Sequence, residues 1–166
     1  LESGIAGGAH IILIPEIPFN IDRVVEKIQF RAKGGSPFSI IMVAEGAREE
    51  GGDVITQASA STRLQGVPQL GGVGQYLADQ IKKRIDLEVR GTVLGHIQRG
   101  GSPTAFDRLL AARMGVKAVE ALLEGKVDVM TGLQGRGIEL VPLEEVVTNK
   151  QQANEDFYRM ARVLAR

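Results

Sequence analysis

Apolar positions along this sequence fall into two patterns, and each pattern predicts a different kind of element. Segments Ile11–Ile14 and Phe38–Ala44 are almost continuously apolar, which is typical of parallel strands covered on both faces. Between them, apolar residues recur at positions 21, 24, 25 and 28, which predicts a helix over Ile21–Ala32 with Asn20 as its cap. A strand, a helix and a strand in this order predict a parallel sheet with a right-handed crossover.

The rest of the chain continues this alternation of helix and strand. A third strand is predicted over Val89–Leu94, and a short strand or two within residues 127–141. Helices are predicted over Val73–Arg84, Pro103–Leu123 and Asn154–Leu164. Gly125 supplies the expected stop for the second of these helices. The predicted fold class is therefore α/β, a Rossmann-like parallel sheet flanked by helices.

Residues 46–72 interrupt the alternation, because they hold six glycines and follow no strong period. One interpretation is a surface excursion, since long irregular segments usually run over the surface. The other is a flap beside a ligand, because the segment begins directly after Glu45 at the end of a predicted strand. Both interpretations stay open at this point.

Composition narrows the class of protein further. The chain has 166 residues, enough for one domain with a sizeable core, and 43% of them are hydrophobic. Its 20 basic and 20 acidic residues cancel, so we expect no nucleic-acid partner and no anionic membrane surface. No apolar stretch approaches the roughly 20 residues that span a bilayer. The absence of cysteine excludes disulfides and thiolate metal sites and suits a reducing cytoplasm.

The most informative chemistry follows the third predicted strand. That strand delivers His96 and Arg99 into a loop that ends in two glycines. A helix is predicted to begin there, with Ser102 as its cap and Pro103 in its first turn. Basic hydrogen-bond donors that lie between the carboxyl end of a strand and the amino end of a helix are well placed to bind an anionic ligand. We therefore expect capture of a sugar phosphate or similar anion, with Arg90 adding a guanidinium at the start of the strand.

The same segment carries a resemblance to a known family. Arg90, the run Gly95–Gly101 and the pair Asp107–Arg108 follow one another at the spacing of the phosphofructokinase signature, which they resemble at every fixed position. Ile5–Gly8 before the first strand and Val43–Gly46 at the end of the second are similar to further stretches of the family. The resemblance runs the length of the chain, but only onto the carboxyl-terminal half of the family.

This partial resemblance implies a partial protein. The glycine-rich phosphate loop and the Asp-rich catalytic loop of the family's other half have no counterpart here, and there is no Walker-type Gly-Lys-Ser/Thr. We therefore expect a fragment without catalytic residues of its own. The resemblance implies that residues 1–98 with 150–166 form a fructose 6-phosphate-binding lobe and that 99–149 belong to a donor-binding lobe. A lobe cut in this way is expected to expose apolar surface.

The resemblance also implies an activity and its ligands. The parent protein would be a 6-phosphofructokinase, which in glycolysis transfers a phosphoryl group to the 1-hydroxyl of fructose 6-phosphate. Glu45, His96 and Arg99 would bind the sugar within one subunit. Magnesium and ATP, or pyrophosphate, would be bound mainly by the absent half, and no metal site is expected in this chain. The long segment 46–72 resembles the corresponding connection in the mixed-substrate and pyrophosphate-related bacterial branch of the family. The identity of the phosphoryl donor, ATP or pyrophosphate, therefore stays open.

Arg90 is expected to act between subunits. Along a strand that rises about 3.3 Å per residue it would lie roughly 20 Å from His96, too far for both to hold one small phosphate. In the family the matching arginine reaches into the sugar site of the neighbouring subunit, which implies a homo-oligomer, either a tetramer or a dimer. The alternative is an ion pair with Glu88 inside the same subunit.

Other interpretations of the signature residues stay open as well. Arg99 could pair with Asp107 at the surface, and Glu45 could be a solvated residue at a strand end. Asp107 and Arg108 are interpreted as structural, since they lie in the first turn of a predicted helix. A non-catalytic sugar-phosphate-binding module, or a pseudoenzyme subunit kept for assembly, would use the same loop.

A second predicted feature concerns regulation. His10 and the segment Lys33–Pro37 stand where bacterial members of the family often carry an acidic residue and a basic cluster. With fewer positive charges and a proline there, tight binding of a nucleotide or of phosphoenolpyruvate is not expected. We therefore predict weak or absent regulation of that type.

Overall fold

The computed structural model describes residues 1–53, 72–149 and 152–164, which divide into two compact units. Unit 1 contains the described residues up to 93 together with 152–164, and unit 2 contains 94–149. The elements of unit 1 are α1 (Glu2–Ala6), β1 (Ile11–Leu13), α2 (Ile21–Lys33), β2 (Ile41–Val43), α3 (Val73–Lys82) and α6 (Glu155–Leu164). Those of unit 2 are a 3₁₀ turn (Gly95–Arg99), α4 (Ala105–Leu123), β3 (Val129–Gln134), β4 (Gly137–Pro142) and α5 (Leu143–Thr148).

The two strands of unit 1 form the parallel pair that the sequence predicts. Ile11 pairs with Ile41 and Leu13 with Val43, and α2 connects the two strands. Both strands are shorter than the apolar runs from which they were predicted. The predicted strand, helix, strand order and the parallel pairing are confirmed.

Strand β1 is buried on both faces, and its residues alternate between two cores. Ile11 and Leu13 pack into a cluster with apolar side chains of α2 and α3. Ile12 and Ile14 pack into a second cluster that includes Ala161 of α6. Successive strand residues point to opposite faces, so a continuous apolar run is what a strand covered on both sides requires. Unit 1 is therefore layered, with helices on either side of the β1–β2 pair.

Helix α2 begins where its cap was predicted. The Asn20 side-chain oxygen accepts hydrogen bonds from the backbone N–H groups of Asp22, at 3.0 Å, and Arg23, at 3.2 Å. These bonds satisfy donors that the first turn of a helix leaves unpaired. The four apolar positions that predicted the helix are all buried: Ile21, Val24, Val25 and Ile28.

The third predicted strand, Val89–Leu94, does not form, and this prediction was wrong. Within the described residues this segment has no hydrogen-bonded partner strand, and Val93 is 81% exposed. An extended segment becomes a strand only when a neighbour pairs with its backbone. Val89 at its start nevertheless packs against the core of unit 1.

Unit 2 consists of α4 with an antiparallel hairpin, β3 and β4, followed by the short helix α5. The hairpin agrees with the strand or two predicted within residues 127–141. Helix α4 ends at Leu123, and the backbone N–H groups of Gly125 and Lys126 bond back to Leu122 and Ala121. Those two bonds form a Schellman motif, with Gly125 as the predicted stop.

Helix α4 carries an uncovered apolar face. Six of its large apolar side chains are more than half exposed: Phe106, Leu109, Val116, Val119, Leu122 and Leu123. The exposed apolar surface expected of a partial lobe is therefore present. Even this helix is not a membrane span, because no helix among the described residues is long and apolar enough to cross a bilayer.

We predict that acidification weakens the link between His10 and β2. The His10 Nδ1 atom accepts a hydrogen bond from the backbone N–H of Ile40 at 2.9 Å, which requires that nitrogen to be unprotonated. Partial burial lowers the pKa of His10, and the positive charges of Arg31 and Lys27 lower it further. Because the unfolded chain takes up this proton first, stability is present above about pH 6.5 and is lost as the pH falls below that value.

An NMR titration of the purified chain checks this prediction, since the sequence holds only two histidines. The His10 resonance should titrate with a midpoint below 6.5, its ordinary value. His10→Gln should flatten the loss of stability toward pH 5.5 in urea unfolding, because it removes the group that takes up the proton. A His10 midpoint above its ordinary value would contradict the prediction.

Candidate functional site

Glu45 lies in a turn at the carboxyl end of β2. The backbone N–H of Ala44 donates to the Leu13 carbonyl at 2.9 Å, which extends the strand pairing by one step. The N–H of Ala47 then donates to the Ala44 carbonyl at 2.9 Å, which closes a turn with Glu45 and Gly46 at its centre. Ala47 is fully buried, whereas Glu45 is exposed. The fold therefore holds the backbone of this turn and leaves the carboxylate open to a ligand.

His96 and Arg99 lie together on the 3₁₀ turn of unit 2 rather than in an irregular loop. A 3₁₀ helix has three residues per turn, so side chains three positions apart lie on the same side. Both residues are exposed. The turn is bounded by Gly95, with φ of +47°, and Gly101, with φ of +92°, conformations that residues with a Cβ rarely adopt. The structure thus brings an imidazole and a guanidinium to one face.

The start of α4 differs from the prediction, because its cap is Thr104 and not Ser102. The Thr104 hydroxyl accepts from the Asp107 N–H at 3.2 Å, and the Asp107 carboxylate accepts from the Thr104 N–H at 2.8 Å. This capping box places the helix start two residues later, so Pro103 precedes the helix. The correction follows from a residue pair, Thr-x-x-Asp, that is visible in the sequence.

The capping box also changes the expected electrostatics of the site. The Asp107 carboxylate sits at the amino end of α4, where the hydrogen bond from the Thr104 hydroxyl and then the one from its N–H lower the pKa of Asp107. A negative group of the chain itself therefore occupies this helix end, which was predicted to help hold an anion. Among the ion pairs of the described residues, none joins Arg99 to Asp107. The turn, not the helix end, carries the positive groups.

Arg90 belongs to unit 1 and pairs with Glu88. The Nε and Nη2 atoms of Arg90 each lie 2.7 Å from a Glu88 carboxylate oxygen. The two side chains are 83% and 73% exposed, so the pair contributes little to stability. The predicted distance of roughly 20 Å from His96 assumed a strand over this segment, and that strand is not formed. The role of Arg90 between subunits stays a prediction.

The four predicted ligand residues are divided between the units. Glu45 and Arg90 belong to unit 1, and His96 and Arg99 belong to unit 2. Within unit 2, the 3₁₀ turn holds His96 and Arg99 three positions apart. Among the described residues, no group of three or more His, Asp or Glu side chains is arranged to hold a metal ion.

The region predicted to lack tight regulation contains a cavity of about 300 Å³ within unit 1. His10, Arg31 and Ser36 supply polar groups to its lining. The Arg31 Nε atom has no hydrogen-bond partner among the described residues. Partial burial lowers the pKa of Lys27, and the charges of Arg31 and Arg162 add to that effect. The weak or absent regulation predicted for this region stays a prediction.

A hydrogen bond that the sequence did not predict lies beside the Glu45 turn. The Tyr76 hydroxyl, in the first turn of α3, donates to the Glu49 carboxylate at 2.5 Å. The two residues are 27 positions apart, so no periodic pattern in the sequence links them. Segment 46–72, interpreted as an excursion or a flap, begins with this anchored part, and its residues 54–71 lie outside the described residues.

Comparison with known proteins assigns the family. The phosphofructokinase family matches residues 1–122, and the chain therefore belongs to it. An ATP-dependent 6-phosphofructokinase of Chloroflexus aurantiacus is 46% identical over 166 residues, which are 99% of this chain and 44% of that protein. A pyrophosphate–fructose 6-phosphate 1-phosphotransferase of Amycolatopsis methanolica is 44% identical over 164 residues, which are 98% of this chain and 47% of that protein. The chain thus spans a little under half the length of these curated relatives.

Solved structures agree with this assignment. The structure of phosphofructokinase from Saccharomyces cerevisiae superposes with a TM-score of 0.64 at 31% identity, covering 88% of this chain and 18% of that chain. A crystal structure of pyrophosphate-dependent phosphofructokinase from Marinobacter aquaeolei gives a TM-score of 0.63 at 24% identity, covering 89% of this chain and 35% of that chain. The second likeness shows the fold alone. The predicted α/β fold class and the predicted family are confirmed.

Proposed function

We propose that the protein containing this chain is a 6-phosphofructokinase, and that this chain binds fructose 6-phosphate. Membership of the family supports the class of reaction. The observation that carries the assignment is the 3₁₀ turn Gly95–Arg99, which presents two phosphate-binding groups on one side. In this proposal residues 1–98 with 150–166 form the sugar-binding lobe, and 99–149 belong to the donor-binding lobe.

Each proposed ligand residue has a chemical role. The Arg99 guanidinium donates two parallel hydrogen bonds to oxygens of the 6-phosphate, and the His96 imidazole donates a further one in either protonation state. The Glu45 carboxylate accepts hydrogen bonds from sugar hydroxyls and repels a second phosphate at that position.

The donor and the metal are proposed to lie mainly on the part of the enzyme outside this sequence. When bound, magnesium and ATP or pyrophosphate supply the phosphoryl group and neutralise its charge. This chain is assigned the positioning of the acceptor sugar. The proposal includes both ATP and pyrophosphate as possible phosphoryl donors. A relative named for ATP and a relative named for pyrophosphate have similar sequence identity to this chain.

The complete enzyme is proposed to be a homo-oligomer, a tetramer or a dimer, that works in glycolysis in the cytoplasm. Its assembly matters for Arg90, which we assign to the sugar site of a neighbouring subunit. The exposed ion pair between Arg90 and Glu88 supports this assignment. Because such a pair is weak, Arg90 can leave Glu88 and bind a phosphate at little cost in free energy. The uncovered face of α4 gives the remaining half of the enzyme a surface to pack on.

The first prediction tests the turn. In the complete enzyme, His96→Ala or Arg99→Ala should raise the KM for fructose 6-phosphate by about 10- to 100-fold, because a hydrogen bond to a charged group is lost. The KM for the phosphoryl donor should stay the same in steady-state kinetics. Arg136→Ala, which removes an exposed arginine elsewhere in unit 2, serves as the control. Loss of donor affinity with unchanged sugar affinity would show that the site is misassigned.

The second prediction concerns the chain by itself. The purified 166-residue chain should not convert fructose 6-phosphate with either ATP or pyrophosphate, because the donor site is proposed to lie elsewhere. A coupled assay for fructose 1,6-bisphosphate, run beside the complete enzyme, measures this. Magnesium-dependent turnover by the chain alone would refute the division of roles.

The third prediction tests whether sites are shared between subunits. Arg90→Ser enzyme should bind fructose 6-phosphate poorly although its own His96 and Arg99 are intact. Mixed with His96→Ala enzyme, it should regain part of the activity, since some interfaces then pair an intact arginine with an intact turn. Activity is measured after subunit exchange has been verified by mass spectrometry. Mixed oligomers no more active than the separate variants would place the action of Arg90 within its own chain.

A further inference from the structure

The turn that presents Glu45 is held at both ends by backbone hydrogen bonds. Before it, the Ala44 N–H donates to Leu13 of β1. After it, the Phe19 N–H donates to the Arg48 carbonyl at 2.9 Å, and the Glu50 N–H donates to the Phe19 carbonyl at 2.8 Å. Phe19 is buried in the core of unit 1, so its two hydrogen bonds hold the backbone of residues 48–50 against that core. The position of the Glu45 carboxylate therefore depends on what holds residues 48–50.

Side chains attach this same segment to two helices. The Asn20 amide, at the cap of α2, donates to the Glu50 carboxylate at 3.0 Å. The Tyr76 hydroxyl of α3 donates to the Glu49 carboxylate at 2.5 Å, in a partly buried setting. Tyr76 also packs against the core cluster that contains Leu77 of its own helix. Of the two links, the one to Tyr76 is the more sheltered from water, so it constrains the segment more strongly.

The surroundings of the Tyr76 hydroxyl favour its role as the donor of this bond. The hydrogen bond to the Glu49 carboxylate raises the pKa of the Tyr76 hydroxyl, and partial burial adds to the effect. The phenol therefore keeps the proton that it donates. A neutral donor and a charged acceptor form a stronger bond than two neutral groups do.

We propose that Tyr76 is a positioning residue for the sugar site, which acts through Glu49 to fix the turn that presents Glu45. This inference rests on the proposed function, because it assigns the Glu45 carboxylate to a sugar hydroxyl. In this proposal Tyr76 acts without contacting the substrate. Its hydroxyl links α3 to the segment after Glu45, and a small displacement of a binding group has a large effect on affinity.

The experiment compares variants of the complete enzyme by steady-state kinetics. Tyr76→Phe should raise the KM for fructose 6-phosphate by about three- to tenfold, with kcat changed less than about twofold and the KM for the donor unchanged. Glu49→Ala should give the same change. Glu49→Gln keeps an oxygen that accepts from the Tyr76 hydroxyl, so it should restore the sugar KM to nearly the wild-type value. The double variant Tyr76→Phe, Glu49→Ala should be no worse than either single one.

Tyr158→Phe is the matched control, since it removes the hydroxyl of the other tyrosine of the chain from α6. It should leave the sugar KM unchanged. Thermal melting of every variant separates positioning from stability: a lower Tm of Tyr76→Phe with an unchanged sugar KM would overturn the inference. If Tyr76→Phe does not fold, the comparison of Glu49→Ala with Glu49→Gln tests the inference instead. Equal values of the KM for fructose 6-phosphate in these two variants would also overturn the inference.

Failure of the proposed function gives a different result. In that case the wild-type enzyme itself would show no turnover of fructose 6-phosphate with ATP or pyrophosphate. An active wild-type enzyme whose sugar KM is insensitive to Tyr76→Phe would leave the proposed function intact and refute the role of Tyr76 alone.

Discussion

The two-sided burial of β1 is the constraint on which the rest of unit 1 depends. Ile11 and Leu13 face the cluster of α2 and α3, while Ile12 and Ile14 face the cluster that contains Ala161 of α6. Because β2 pairs with β1 in parallel, its carboxyl end is fixed at the same edge. That edge is where the Glu45 turn begins, so the packing of one short strand determines where the Glu45 carboxylate is presented. This is the usual position of ligand sites in open α/β sheets.

The site combines fixed backbone with exposed side chains. The Glu45 turn and the 3₁₀ turn are both short, and both are held by backbone hydrogen bonds. Their charged groups remain open to solvent, which is required of residues that bind a small polar ligand. At the start of α4, Asp107 completes a capping box and thereby places a carboxylate of the chain itself at that helix end. The assignment of phosphate recognition to His96 and Arg99 stays a proposal, and the donors of an imidazole and a guanidinium suit a dianion.

Local patterns predicted the parts of the structure that depend on local contacts. The apolar positions of α2 and the Asn20 cap were sufficient to define that helix. Val89–Leu94 was predicted as a strand and is not one, because pairing depends on a neighbour that the pattern of one segment does not reveal. The cap of α4 was misplaced although the Thr104–Asp107 pair was visible, since Ser102 and Pro103 offered a competing signal. The bond between Tyr76 and Glu49 joins residues brought together only by the tertiary fold.

The return of the chain from unit 2 to unit 1 has a consequence for biosynthesis. Helix α6 covers one face of β1, and the Ala153 N–H donates to the Glu16 carboxylate at 2.9 Å across 137 positions of sequence. A ribosome releases these residues only after all of unit 2 has emerged. The hairpin and α4 can therefore form while the face of β1 that carries Ile12 and Ile14 has Ile5 of α1 packed on it but not yet Ala161 of α6. Until α6 is released, Ile12 and Ile14 lack one of the surfaces that bury them, which makes the nascent chain more prone to aggregation.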